Sequence, residues 1–375
     1  MTFGITMTMA QEAFHNFGSL QLHENALVGF HTNLTNDGPF YNNRGLVGFY
    51  GADALEFSGV ITPVFNDLEI VAEKGLNLSN TMRVANNVNF ILGNLSTQKN
   101  ASSIGINFMD SAFFVGVGNA SHINGYASVT NKELFTFPVG DGARLRSLTL
   151  ASTAVNELAK CAYFNENPNN PTLLDEQFGT ALKESEELQI SEVEFWKLES
   201  NLPSVVTFRW EPESLASLLS DDAQNLTVVG WSKTSNQWEN LGKSAITGDL
   251  ESGSITSEIF IPDNYAVLAL GGYRDPLETL STTSNNYIIT PNHDGINDFL
   301  KIEGLENNPN NILNIYNRYG ILVYSKINYA NEFDGISNQN MVINRNAGLS
   351  SGVYFYFLTL KDKQEKMQGY VYIAR

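Results

Sequence analysis

The chain has 375 residues, only 17% of them charged, and a net charge of −18. This length suits two to four domains, and sparse charge among many Asn, Ser, Thr, Gly and aromatic residues favours strands over long amphipathic helices. An acidic surface repels phosphate backbones, which argues against a nucleic-acid partner, and no apolar run reaches the ~18 residues of a membrane span.

Residues 1–10 are weakly apolar. Thr8-Met-Ala10 before Gln11 looks like the end of a signal peptide, with a small residue at the cleavage point. The basic n-region and most of the apolar core are missing, so the true start is expected upstream; a disordered start of a mature chain is the alternative.

Residues 11–149 show no helical period. Apolar bursts of three to six residues alternate with Asn, Gly and Thr, and Val28-Gly-Phe-His31 recurs nineteen residues on as Val47-Gly-Phe-Tyr50. Short strands with Asn/Gly corners predict a β-solenoid-like domain, in which each coil buries its apolar side chains against the next. A plain sandwich is the alternative, because the repeat is degenerate. The only cysteine, Cys161, excludes an intrachain disulfide and a CxxC site, and reads as a small apolar residue.

Residues 150–272 predict an Ig-like β-sandwich with strands near 190–198, 205–210, 226–231, 255–261 and 266–270. A short helix is expected around 174–187 and a helical turn within 211–219. Trp231 and Trp238 flank a hairpin tip and read first as a cross-strand pair. If exposed, they are the candidate glycan contacts. Glu192 and Glu194 alternate on an expected strand, which would place two carboxylates on one face. Residues 273–288 are polar and turn-prone, as a linker is.

Residues 289–375 predict a third all-β domain, a small sandwich of about six strands. Its blocks are Ile289-Thr-Pro-Asn-His-Asp-Gly-Ile-Asn-Asp-Phe299, Ile315-Tyr-Asn-Arg-Tyr-Gly-Ile-Leu-Val-Tyr324, Asn331-Glu-Phe-Asp-Gly335, Leu349-Ser-Ser-Gly-Val-Tyr-Phe-Tyr-Phe-Leu358 and Gly369-Tyr-Val-Tyr-Ile-Ala-Arg375. It holds eight basic and eight acidic residues of the chain's 22 and 40, leaving 14 basic against 32 acidic before it. Asn292, Asp294 and Asp298 approach an extracellular calcium loop and are candidate ligands, so calcium is the one cofactor considered. The other reading is an Asx-turn stapled by its own side chains. Gly348-Leu-Ser-Ser-Gly352 matches G-x-S-x-G, but a strand rather than a helix follows, which favours a turn over a nucleophile elbow.

In order and spacing these five blocks resemble the gliding-motility-associated C-terminal domain, the type B sorting domain of the type IX secretion system. His293 stands where that pattern has Gly, Phe333 where it has Trp, and Ser350 where it has Pro. The blocks Phe65–Thr97, Tyr126–Gly142, Glu194–Leu198 and Val229–Gly242 are similar to passengers of this route, including an F-P-V-G-D-G hairpin. The resemblance implies export through Sec and then the type IX machinery, ending outside the cell or on its outer surface. It makes Pro291, Asn292, Asp294, Gly295, Asn297, Asp298, Arg318, Tyr319, Gly320, Gly352 and Tyr354 the motif residues of the sorting domain. No assembled acid, base or nucleophile is evident, so the expected protein is a non-enzymatic, adhesin-like or structural one. An extracellular glycan-binding module is the alternative, and the surface ligand is left open.

Overall fold

The computed structural model describes residues 13–142, 144–274, 286–339, 348–361 and 365–375. The signal-peptide-like segment 1–10 and most of the expected linker lie outside these residues. The chain forms two compact units, Met1–Arg274 and Asp275–Arg375. Nearly every described element is a strand, joined by five short 3-10 turns.

The first unit begins as a β-solenoid. One parallel ladder stacks Ala13–Asn16, Asn33–Asn36, Leu55–Ser58, Leu76–Leu78, Leu95–Thr97 and Ile123–Asn124. The other stacks Leu27–Phe30, Leu46–Gly51, Val64–Ala72, Met82–Leu92, Gly105–Phe108 and Tyr126–Val129. Partners lie 19 to 28 residues apart along the chain, which is the length of one coil. The inward positions are apolar on every coil: Phe49, Phe57, Phe65, Leu68, Ile70, Leu76, Val84, Phe90 and Leu95 are buried. Such coils are stable only stacked, because a single coil leaves its apolar side uncovered. Asparagine corners add a polar ladder: the Asn16 amide donates to Asn36 Oδ1 (2.7 Å) and the Asn36 amide to the Ile61 carbonyl (2.7 Å).

The last coil does not end the sheet. Tyr126–Val129 pairs antiparallel with Ala159–Phe164, which continues through Phe195–Glu199, Tyr265–Tyr273, Leu226–Ser232 and Trp238–Asn240. A second antiparallel sheet runs Lys132–Phe137, Leu148–Asn156, Ser204–Trp210, Gly253–Thr256 and Ala245–Gly248. These two sheets form the middle sandwich, and its core is continuous with that of the solenoid. The expected division at 149/150 falls inside the strand Leu148–Asn156.

The region around 174–187 is a loop, not the expected helix. Asn169 fixes it, accepting from the Thr180 amide at 2.8 Å, and Phe178 plugs into the sandwich. Tertiary packing of one aromatic residue outweighs a helical run interrupted by Gly179. The turn expected within 211–219 is present as Pro212–Ser214 and Ala216–Leu218.

The second unit is a five-stranded sheet in the order Tyr287–Ile289, Glu365–Ile373, Gly352–Leu360, Asn311–Tyr316 and Leu322–Ile327. One face packs Leu313, Ile315, Tyr356, Leu358, Val371 and Ile373 against a sandwich-like second layer of irregular chain that supplies Leu300, Ile302, Tyr329 and Phe333.

Candidate functional site

The register of the second unit gathers its motif turns at one end of the sheet. Ile289 pairs with Ile373, and Ile373 with Gly352. The opening loop leaves from Ile289, the strand Gly352–Leu360 starts at the same level, and Tyr316 leads into the turn at Arg318–Gly320 one pairing away from Phe355.

The opening loop is built around Asp298, which is buried. Its Oδ1 accepts the backbone N–H groups of Asn292 (3.1 Å) and His293 (2.7 Å), and its Oδ2 that of Gly295 (2.8 Å). Burial pushes this carboxyl up, but the three N–H donors outweigh it and leave its pKa below the usual carboxylate value. Asp294 Oδ1 accepts from the Ile296 amide at 2.8 Å, and its Oδ2 from the Asn292 side chain at 2.9 Å. The oxygens proposed as calcium ligands thus face N–H donors, and the loop is closed as an Asx staple. Among the described residues no group of three or more His, Cys, Asp or Glu side chains is placed to hold a metal. His293, Gly295 and Asn297 all have positive φ, at 66°, 88° and 54°. The left-handed backbone at 293 is the physical reason a glycine suits that position.

The other motif residues are also turn builders. Asn317 Oδ1 accepts from the amides of Tyr319 (2.9 Å) and Ile321 (3.0 Å), and the Arg318 guanidinium lies 4.9 Å from the Tyr319 ring centroid. The Tyr354 hydroxyl donates to the Ser350 carbonyl at 3.0 Å. Pro291 lies beside Gly335.

Three residues outside the expected set brace the domain. Arg375 Nη2 donates to the Gly335 carbonyl (3.3 Å), and the Arg375 amide donates to Ser351 Oγ (3.0 Å). Tyr329 is buried, donates to the Leu300 carbonyl and accepts from the Phe333 amide. Asn311, fully buried, donates to the Asn308 carbonyl at 2.8 Å and accepts from the Tyr329 amide at 2.9 Å. The closing arginine of the last block was a visible signal for the first; Tyr329 and Asn311 carry none, since their value lies in burial.

Residues 282–373 match the family model described as the CHU_C type IX secretion signal domain. The C-terminal unit is a type IX secretion signal domain. No curated protein and no solved structure matches the chain. The signal indicates export to the cell surface or the extracellular space and engagement of the type IX machinery. Among the described residues no helix is long and apolar enough to cross a membrane.

The outer face of the secretion signal's sheet is apolar. Ile288 and Tyr372 pair, Tyr372 faces Val353, Tyr370 faces Phe355, and Phe355 faces Tyr316. Phe357 meets Tyr316 edge-on, with centroids 5.6 Å apart. Ile288, Val353, Phe355, Phe357, Tyr370 and Tyr372 are each at least 40% exposed, a patch larger than scattered surface hydrophobics produce.

In the passenger, the glycan contacts expected at Trp231 and Trp238 do not hold. Both rings are buried, packed edge-on 5.9 Å apart, and Trp238 Nε1 donates to the Phe178 carbonyl at 3.2 Å. The loop carrying Phe178 covers the face that a sugar would need. The Glu192/Glu194 pair is likewise split. Glu192 is exposed and accepts from Thr180, whereas Glu194 is buried and accepts from Tyr163 Oη (2.6 Å) and Arg146 Nε (3.3 Å). Neither belongs to the strand Phe195–Glu199 that was expected to align them. Trp196 and Trp210 are core residues. A cleft of 1040 Å3 opens on the sandwich, and two of its lysines are held locally: Lys160 by Glu199 at 3.3 Å, and Lys233 by the Asp263 carbonyl at 2.9 Å.

Proposed function

We propose that this chain is a non-enzymatic, adhesin-like or structural surface protein, and that the type IX machinery docks on the aromatic outer face of its signal domain. The observation that carries the docking is that face itself. Ile288, Phe355, Phe357, Tyr370 and Tyr372 stay open although one layer away Tyr356, Val371 and Ile373 are fully covered. On a domain whose role is to be recognised, an open apolar sheet face is the natural contact for an apolar partner surface. The motif turns at the sheet end connect the strands that present that face.

The adhesin-like role rests on the passenger's construction. One of its two ladders runs from the solenoid into the sandwich as a single sheet. Glu194, His15 and His122 serve structure: Glu194 anchors Arg146, His15 pairs with Asp37, and His122 lies under Gly140.

The test is the full chain carrying Phe355→Asp and Tyr372→Asp together, expressed in a cell that secretes by this route. Retention with an intact fold is expected, because two charges on the face oppose apolar docking. Undiminished secretion of the folded variant would remove the face from the recognition surface.

A further inference from the structure

We propose that the outer face of the solenoid sheet binds a neutral polysaccharide, with Tyr50 as its stacking platform. The repeat Val28-Gly-Phe-His31 and Val47-Gly-Phe-Tyr50 is the origin of this surface. Phe30 and Phe49 pair in register and point inward, so His31 and Tyr50 fall on the outside of successive coils. Their rings lie 5.5 Å apart and 30° from parallel.

Tyr50 does not stand away from the sheet. A Cβ on Gly48 would sit 2.2 Å from its ring, and one on Gly29 would sit 3.0 Å from it. The ring therefore lies across the two glycines, on bare backbone. Two glycines side by side in a parallel sheet weaken it and leave no side chain to pack. Here they make the bed for a ring. The side of the ring away from the backbone faces outward.

The row continues in hydrogen-bonding groups. Gly48 pairs with Glu69, and Glu69 with Asn89. Tyr50 Oη donates to Glu69 Oε1 and Asn89 Nδ2 donates to Glu69 Oε2, both at 2.9 Å. Both contacts fix the carboxylate next to the ring. Beyond Asn89 the row ends on the exposed Val115, and Phe113 beside it is also exposed. Strands in such a sheet are about 4.8 Å apart, so ring, carboxylate and amide, on three adjacent strands, spread over about 10 Å of the sheet surface. That suits an extended saccharide: its C–H face stacks on the ring, and its hydroxyls bond to the carboxylate and amide beside it. Asp67 and Glu69 on this face disfavour an acidic polymer.

The assignment needs no export and so stands apart from the docking of the signal domain. The test is affinity gel electrophoresis of the purified full chain in hydroxyethyl cellulose, laminarin and mannan, with alginate as the acidic arm. Retardation by at least one neutral polymer is expected. Tyr50→Ala should weaken it about tenfold or more and Tyr50→Phe should keep most of it, with circular dichroism showing all variants folded. No retardation by any neutral polymer, retardation by alginate alone, or full retention in folded Tyr50→Ala would each overturn the proposal.

Discussion

The guanidinium of Arg375 lies directly against the α-carbon of Gly348: a Cβ there would fall 1.9 Å from Nη1. Gly348 also has φ of +80°, a conformation that side chains disfavour. Arginine and glycine thus form one lock, joining the last block of the signal domain to the turn before the strand Gly352–Leu360. Gly348→Ala is expected to destabilise the C-terminal unit by about 1–3 kcal/mol, from backbone strain and a displaced guanidinium. Urea titration of the full chain, followed by hydrogen exchange of 352–360, reads the effect. An unchanged midpoint would contradict the lock.

Asp298 should give the signal domain an acid limit. Its folded pKa is lowered by three backbone N–H donors. A depressed carboxylate contributes stability that is present above its unfolded pKa, about 3.9, and lost as pH falls through the folded value. The C-terminal unit should therefore lose thermal stability below about pH 4. Asp298→Asn should lower the midpoint at pH 7 and flatten this dependence. Equal slopes for both proteins at low pH would show that another carboxylate sets the limit.

Arg146 and Glu194 are both buried, and their pair is joined by Tyr163 and Glu211. Removing only the arginine leaves a buried carboxylate without its cation, which costs about 3–5 kcal/mol. Arg146→Met should therefore destabilise the passenger strongly, and adding Glu194→Leu should recover part of the loss. A double variant no better than the single one would mean that packing, not charge, explains the cost.

Trp238 is fully buried. Trp238→Ala is expected to cost about 3–5 kcal/mol through the cavity it leaves. The tryptophan emission of the intact chain should stay unshifted when polysaccharide is added, even where Tyr50 binds it. A polymer-induced shift, lost in Trp231→Phe, would return sugar contact to the sandwich.

Much of this architecture was legible in short-range pattern. Apolar bursts with Asn corners predict coils, and the nineteen-residue echo of Val28–His31 at Val47–Tyr50 is one coil of the ladder. The signal domain was legible because its turns need particular residues: Gly320 at φ 77°, Gly295 at φ 88°, and an Asp298 whose oxygens match three amides. What pattern could not show was cover. Trp231 and Trp238 flank a hairpin and could have faced water; Phe178, some sixty residues before Trp238, closes them off. The helix expected at 174–187 failed for the same reason. Glu194 reads as half of a surface pair until Arg146, 48 residues earlier, reaches it inside the core. The aromatic alternation of Val353–Phe357 shows two faces, but not which one stays open.

The C-terminal unit is the signal that sends this chain out of the cell. Its most direct test is fractionation of cells expressing the full chain and a chain ending at Thr290, with the mature ends read by mass spectrometry. The full chain is expected at the surface or in the medium, and the shortened chain inside the outer membrane. Equal export of both would contradict it.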